Sequence, residues 1–365
     1  MYYLGLMSGT SMDAIDVAIV SFDPKAQLVF YNEYPYEQAF KQRVRQVNED
    51  TALAEVTALD HELGKRFAEA VNIALEHTGI QATEVNAIGS HGQTVFHQPE
   101  GQHPTSVQIG DPNVISHDTG ITTVADFRRM DVATGGQGAP LASAFHEYQF
   151  KQENRNTVIL NIGGMANITL LSSKPTIGFD TGPGNALLAD WVQLNQKREY
   201  DKNGEWASTG GTNKTLLDLM LADPYFDLTP PKSTGREYFN LEWIHRYLNR
   251  LGTDITAEDV QSTLLDVSAI SIARSISSTM ENIDEIIACG GGAHNDQLMQ
   301  RLKEQLKQTR LSTTADYGLS PDCIEAVTFA WLAKQRLDGV PANLPGVTGG
   351  RKAVLLGGVY NSGKS

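Results

Sequence analysis

Tyr2-Tyr3-Leu4-Gly5-Leu6-Met7-Ser8-Gly9-Thr10-Ser11-Met12-Asp13-Ala14-Ile15-Asp16-Val17-Ala18-Ile19-Val20 reads as two short strands, over 2–6 and 15–20, folded about a turn. Gly9 beside hydroxyl side chains is turn chemistry. The pattern recurs from Thr157: a strand over 158–162, the turn Gly163-Gly164-Met165-Ala166, and a strand over 167–171. This is a weak internal repeat of a glycine-turned hairpin. A third glycine turn, Gly290-Gly291-Gly292-Ala293-His294-Asn295, follows a strand over 285–289 and opens a helix that runs to Leu306. Two such hairpins suit the phosphates of a nucleotide held from two sides, and a turn without Cβ atoms lets a nucleoside lie against backbone. Any one of these turns alone reads better as an ordinary tight turn. The three in this order carry the nucleotide reading.

Working outward, helices are expected over 36–47 and 52–77, and a short buried strand over 85–88 ends in Gly89-Ser90-His91-Gly92-Gln93-Thr94. A strand over 121–125 runs into Asp126-Phe127-Arg128-Arg129, and a glycine-rich segment leads to a helix over 141–148. A strand over 176–179 runs into Asp180-Thr181-Gly182-Pro183-Gly184-Asn185, followed by a helix through Trp191. Residues 201–236 read as irregular around one short helix; further helices are expected over 258–280 and 324–337. Strands alternating with helices give an α/β fold. At 365 residues two domains are expected. Their boundaries are drawn as 1–130 with 340–365, and 131–339.

Hydrophobic residues make up 41% and charged residues 20%, the composition of a folded globular chain. A net charge of −14 argues against sequence-independent binding to nucleic acid or an anionic membrane. It does not argue against a phosphate, which glycine-rich loops and helix N-termini bind locally. Cys289 and Cys323 form no CxxC pair and read as small buried hydrophobes in a reduced compartment. The opening MYYLGLMSGT has no secretory pattern, and no apolar run is long enough for a bilayer. A cytoplasmic protein is expected, without nucleic-acid or membrane partners.

Asp180 is the residue singled out for chemistry. It follows a buried strand and precedes a helix, and strand ends in α/β folds are where ligands sit; it reads equally as an N-cap aspartate. Asp13 and Asp16 flank the first turn. Asp13 is the candidate to hold Mg²⁺ through water, since that ion prefers oxygen ligands and keeps several waters; Asp16 reads at least as well as a turn aspartate. Arg128 and Arg129 directly follow a strand, and an arginine fork there suits a carboxylate or phosphate. Neighbouring side chains diverge, so one of the two is expected to face a site. His91 and His97 lack metal-site spacing. Gly358-Val359-Tyr360-Asn361-Ser362-Gly363-Lys364-Ser365 matches GxxxxGK[ST], but no helix follows to aim N–H groups at a phosphate. It is expected to be a flexible terminus.

Taken together, Gly5–Asp13, Gly89–Thr94, Ala125–Arg129, Gly135–Leu141, Asn161–Asn167, Phe179–Asn185 and Gly290–Asn295 resemble the motifs of the anhydro-N-acetylmuramic acid kinase family, over essentially the whole chain. The resemblance implies an actin/hexokinase-like (ribonuclease H-like) two-domain fold with a nucleotide cleft between the domains. It implies ATP and Mg²⁺, a homodimer, and 1,6-anhydro-N-acetylmuramic acid as substrate in cell-wall recycling. A kinase of the same fold acting on another sugar is the alternative. A non-catalytic ATP-driven clamp and a hydrolase without phosphoryl transfer are more distant rivals. By motif match, Gly9, Thr10, Ser11, Met12, Asp13, Ala14, Ile15 and Asp16 are assigned to ATP phosphates, with Gly163 and Gly164 opposite. Gly290, Gly291, Gly292 and Asn295 are assigned to the adenosine. Asp180 is the implied general base; Arg129, Glu325, Gln93 and Thr94 are assigned to the sugar. The chain departs from the family in having Ala14 where glycine is usual, which is expected to tighten the turn or alter its φ. Thr348-Gly349-Gly350 replaces a more usual Thr-Gly-Ala and is expected to be harmless.

Overall fold

The structure is a computed structural model, and it describes every residue except Thr10, Ser11, Pro231, Gln308, Lys364 and Ser365. The opening hairpin forms as expected: β1 (Tyr2–Ser8) and β2 (Ala14–Phe22) pair antiparallel, with Leu6 opposite Val17 and Ser8 opposite Ile15. The meander then continues into β3 (Ala26–Pro35), which the sequence reading left unassigned. Next come α1 (Gln38–Arg45), α2 (Leu53–Thr78), β4 (Val85–Ser90), the hairpin β5 (Gln93–Gln98) and β6 (Thr105–Ile109), and α3 (Pro112–Thr119). β7 (Thr123–Ala125), α4 (Arg128–Ala133) and α5 (Ala142–Phe150) follow. The repeat begins with β8 (Thr157–Ile162), β9 (Met165–Leu171) and β10 (Ile177–Pro183). It continues with α6 (Ala186–Gln196), α7 (Lys214–Leu221), α8 (Leu241–Leu251), α9 (Ala257–Thr279), β11 (Glu285–Cys289), α10 (Asp296–Gln305) and β12 (Arg310–Thr313). The chain ends with α11 (Ile324–Leu337), α12 (Pro345–Thr348) and β13 (Gly358–Tyr360).

Two compact units result, residues 1–149 with 323–365, and residues 150–322. The expected boundaries lay at 130 and 340. Residues 131–149 and 323–339 instead pack with the first unit: the amide of Gln149 accepts from Ala26 N–H at 2.9 Å, and the Tyr148 and Trp331 rings meet at 5.6 Å. The C-terminal stretch expected to be flexible contributes an edge strand, β13, paired antiparallel with β7. Lys364 and Ser365 of the rejected phosphate-loop match lie outside the described residues.

The first unit carries a mixed sheet in the order β13-β7-β4-β1-β2-β3, with β1, β4 and β7 parallel. One face is covered by α2, whose Leu59, Leu63 and Phe67 bury against Leu4, Leu6, Val17 and Ile19. The other face carries α11 at unusually close range. A Cβ on Gly5 would stand 1.7 Å from the Ala326 carbonyl oxygen, and one on Gly89 would stand 1.9 Å from that of Phe329. Both obstacles are backbone, so neither residue tolerates a side chain without displacing the helix. Gly89→Ala is therefore expected to destabilise the unit by about 3 kcal/mol, the cost of overpacking a filled interior. A denaturant midpoint lowered at unchanged m would show it; an unshifted midpoint would mean that α11 moves freely.

The second unit repeats the plan. Its sheet order is β10-β9-β8-β11-β12, with β8, β11 and β12 parallel and β8-β9-β10 an antiparallel meander. α9 is buried along most of its length against this sheet and the helices around it, through Leu264, Leu265, Ile272 and Ile276. The α/β class read from the sequence is what the chain adopts. Cys289 and Cys323 are both buried, as read. Among the described residues no helix is long and apolar enough to cross a membrane.

Candidate active site

In the second unit, hydrogen-bonding register lines up four side-chain positions across the sheet. Asp180 on β10 faces Asn167 on β9, Asn167 faces Asn161 on β8, and Asn161 faces Cys289 on β11. Both glycine turns leave the sheet from this row, Gly163-Gly164 after β8 and Gly290-Gly291-Gly292 after β11. The carbonyls of Gly163 and Gly164 accept from Asn185 N–H (2.9 Å) and Ala186 N–H (3.0 Å), which pins the first turn to the head of α6. Gly290 has φ +79°, and a Cβ there would lie 2.5 Å from Asn161 Oδ1. A Cβ on Gly292 would lie 2.2 Å from Ile162 Cγ2. Gly290 and Gly292 thus press on the end of β8, beside the first turn, with no room for a Cβ at either, whereas Gly291 between them faces open space. Asn295, assigned to the adenosine, uses its Oδ1 to cap α10 through Leu298 N–H at 3.1 Å.

The sequence places Asp180 beyond its strand, near a helix start. It lies instead inside edge strand β10, which continues through Pro183 after a register shift between Asp180 and Gly182. The N-cap reading falls with this, since β10 separates Asp180 from α6. The segment 232–234 borders the edge strand at this residue. Asp180 N–H donates to the Lys232 carbonyl (3.1 Å), and Thr234 N–H donates to Asp180 Oδ2 (3.0 Å). Tyr225 Oη donates to the Asp180 carbonyl at 2.9 Å. Burial pushes the carboxyl up, the Thr234 N–H pulls it down, and the negative charge of Glu237 pushes it up again; it ends at about 6. A carboxylate raised this far, held at the strand row from which two glycine turns emerge, has the properties of a general base. The sequence reading passed over Thr234 and Tyr225, since their role depends on tertiary contact.

In the first unit, Met12 rather than residue 14 takes the left-handed backbone of the turn, with φ +52° and its N–H donating to the Gly9 carbonyl at 3.0 Å. Ala14 is the first residue of β2, opposite Pro35, so its β-carbon sits in ordinary extended backbone. The expectation that Ala14 alters the turn is corrected accordingly. Thr10 and Ser11 lie outside the described residues. Ile15 is buried in β2, and Gly9 opens the turn, its carbonyl accepting from Met12 N–H. The Asp13 side chain is 62% exposed and paired with Lys41, and Asp16 Oδ1 accepts from Tyr31 Oη at 3.1 Å. A single exposed carboxylate suits a cation that keeps most of its waters. Among the described residues no cluster of three or more metal-ligating side chains is present.

Gln93 turns out to be buried and engaged locally: Tyr36 Oη donates to Ser8 Oγ (2.9 Å), which donates to Gln93 Oε1 (2.6 Å). Thr94 Oγ1 accepts from Gln108 Nε2 at 3.1 Å. The two arginines diverge, as expected. Arg129 is 59% exposed, forks onto Asp126, and borders a cavity of about 180 Å³ with Ser90, His91 and Tyr360. Ser90 Oγ, on the same wall, is buried without a hydrogen-bond partner among the described residues. Arg128 is half-buried; its Nε donates to His91 Nε2 (3.0 Å) and its Nη1 to the Gly138 carbonyl (2.7 Å). His91 Nδ1 lies 2.8 Å from the Gly92 carbonyl, which can only accept, so the proton is on Nδ1 and the ring is neutral. Burial, then the Arg128 charge, holds its pKa well below the usual histidine value. Glu325, at the head of α11, is exposed at the surface; partial desolvation by its neighbours pushes its carboxyl up, and the Arg128 charge opposes that. The sequence reading chose Arg129 with Glu325; the arginine that acts electrostatically on Glu325 is Arg128.

The glycine-rich run after α4 has a structural account. Asp131, fully buried, accepts from Gly138 N–H (2.8 Å), Asn343 Nδ2 (2.7 Å) and Thr348 Oγ1 (2.7 Å). A Cβ on Gly136 would stand 2.2 Å from its carboxylate.

The sequence model of the family described as anhydro-N-acetylmuramic acid kinase matches residues 1–362. A protein of that name from Coxiella burnetii is 48% identical over 362 residues, covering 98% of this chain and 97% of that one. One from Pasteurella multocida is 46% identical over 365 residues, covering 99% and 97%. Among solved structures, the activator of 2-hydroxyisocaproyl-CoA dehydratase from Clostridium difficile with bound ADPNP aligns at TM-score 0.44 and 11% identity, over 93% of this chain and 98% of that one. On the full-length family match and the identity of these relatives, the chain is an enzyme and belongs to the anhydro-N-acetylmuramic acid kinase family.

Proposed function

We propose that this enzyme phosphorylates 1,6-anhydro-N-acetylmuramic acid with ATP and opens the anhydro ring in the same active site, giving N-acetylmuramic acid 6-phosphate and ADP. The observation that carries the reading is Asp180, a carboxylate raised to about 6 at the strand row from which both glycine turns of its unit emerge. The relatives' name supplies the sugar.

O6 of this sugar bridges C1 and C6 and carries no proton, so the base of an ordinary sugar kinase has nothing to remove there. Asp180 instead takes a proton from a water that attacks C1. As the new C1–O bond forms, the C1–O6 bond breaks and its electron pair stays on O6. O6 attacks the γ-phosphorus in line, and ADP leaves with the electrons of the broken P–O bond. The Gly9–Asp16 turn and Gly163-Gly164 are assigned to the phosphates, and Gly290-Gly291-Gly292 to the adenosine. Asp13 would hold Mg²⁺ through water, and the cation would offset phosphate charge. Arg129 and Glu325 are assigned to the sugar, with Gln93 and Thr94. Family membership further suggests a cytoplasmic homodimer serving cell-wall recycling.

Mass spectrometry of the product formed from the anhydro sugar, Mg-ATP and ¹⁸O-water tests this. One ¹⁸O in a phosphorylated, ring-opened sugar is the expected result. An untouched anhydro sugar beside phosphorylation of a free hexose or aminosugar would leave a kinase with a different substrate. ATP-independent ring opening would make it a hydrolase.

A further inference from the structure

The segment that borders Asp180 also reaches the glycine turn. Two residues beyond Thr234, Arg236 lies against Gly164: its Nε is 4.0 Å from where a Cβ on that glycine would stand. Its Nη1 is 2.9 Å from Asp190 Oδ1 on α6, and the arginine side chain is 54% exposed. Lys232, the other cation of this segment, has its ammonium over the Tyr225 ring and donating to the Tyr225 carbonyl at 3.2 Å. Arg236 is thus the cation of the segment that faces the turn.

Glycine N–H groups offer dipoles but no net charge. Phosphoryl transfer spreads negative charge over three equatorial oxygens, and a guanidinium fork matches that geometry. The present partner does not prevent such a role, because an exposed ion pair contributes little and is readily exchanged for a phosphate. Resting on the assignment of phosphate to Gly163-Gly164, we propose that Arg236 is a catalytic residue: it leaves Asp190 and forks onto the phosphoryl group under transfer, acting as an arginine finger within the same chain.

The test uses the full chain with Mg-ATP and whichever sugar the wild-type protein phosphorylates. Arg236→Ala is expected to lower kcat about 10³-fold, the low end for such an arginine. The KM for sugar and the thermal midpoint should hardly move, and added guanidinium should restore part of the rate. Arg236→Lys keeps the charge without the fork and should fall between. A structural role in pairing with Asp190 makes a different forecast: Asp190→Asn would reproduce the loss, and guanidinium would not rescue. That pattern, or an Arg236→Ala kcat within threefold of wild type, overturns the proposal while leaving the kinase reading intact. A wild-type protein that phosphorylates no sugar overturns both.

Discussion

Asp180→Asn is expected to lower kcat by about 10³–10⁴-fold, toward the upper range for loss of a positioned general base. The amide keeps the size of the carboxylate, and the Thr234 N–H still finds an oxygen to donate to. The loss is therefore of proton acceptance rather than of fold, and the thermal midpoint should stay close to wild type. The wild-type pH profile supplies an independent check. A base works unprotonated, so activity should fall as pH drops through about 6, the value to which burial and Glu237 raise this carboxyl. A break near 4, the ordinary aspartate value, would show that the environment of Asp180 does not raise it in solution. Labelled product made equally fast by Asp180→Asn would leave the family in place and move the base elsewhere.

What the sequence revealed divides along a physical line. The glycine hairpins were legible because their signals are local, with β-branched residues flanking turn chemistry within twenty residues. α11 was read with both of its ends, Ile324 and Leu337, where an apolar run is bounded by Pro321 and Gly339. β3 was missed because it is largely exposed, with no buried face to write a two-residue period into the sequence. α8 left a signal that was passed over: Asn240 caps it through Trp243 N–H at 3.1 Å, and Gly252 closes it at φ +68°. Position 180 was recognised but misplaced, because Asp-Thr-Gly-Pro reads as a turn. The strand absorbs it by shifting register and re-pairing Gly182 with Ala166.

The side chains around Asp180 were illegible for another reason. Thr234, Tyr225 and Arg236 are some fifty residues away in sequence, and nothing short of the fold brings them together. The same holds for Arg128, whose charge acts on Glu325 across the unit. Motif matching picks out candidate residues by type. It did not find those that set their pKa or hold their backbone.

Asp223 is what fastens the segment behind Asp180, and Asp223→Ala is expected to cost about 5 kcal/mol. The carboxylate is almost fully buried and accepts from Tyr225 N–H (2.9 Å), Tyr238 Oη (2.7 Å), Trp243 Nε1 (2.9 Å) and Tyr247 Oη (2.8 Å). Burial would push its pKa up, but these bonds together hold it below the usual carboxylate range. Deleting it strands several donors at about 1–3 kcal/mol each, with Trp243 and Tyr247 deep in the core. Against a whole-domain stability of about 5–15 kcal/mol, that places the second unit near its unfolding threshold. Asp223→Asn keeps the shape and one acceptor oxygen, and should cost roughly half as much. Because the folded pKa is depressed, the wild-type advantage is fully present above the unfolded carboxylate value, near 4, and fades as pH falls through the folded one. Denaturant titrations of the three proteins at pH 7 and pH 3 measure this directly. Where Asp223→Asn is still folded, it should also lose kcat, since Tyr225 carries the hydrogen bond to the Asp180 carbonyl and stands between the hub and the base. A midpoint loss worth less than 1 kcal/mol for Asp223→Ala would mean that these donors find water or new partners, and that Asp180 is held by its own strand alone.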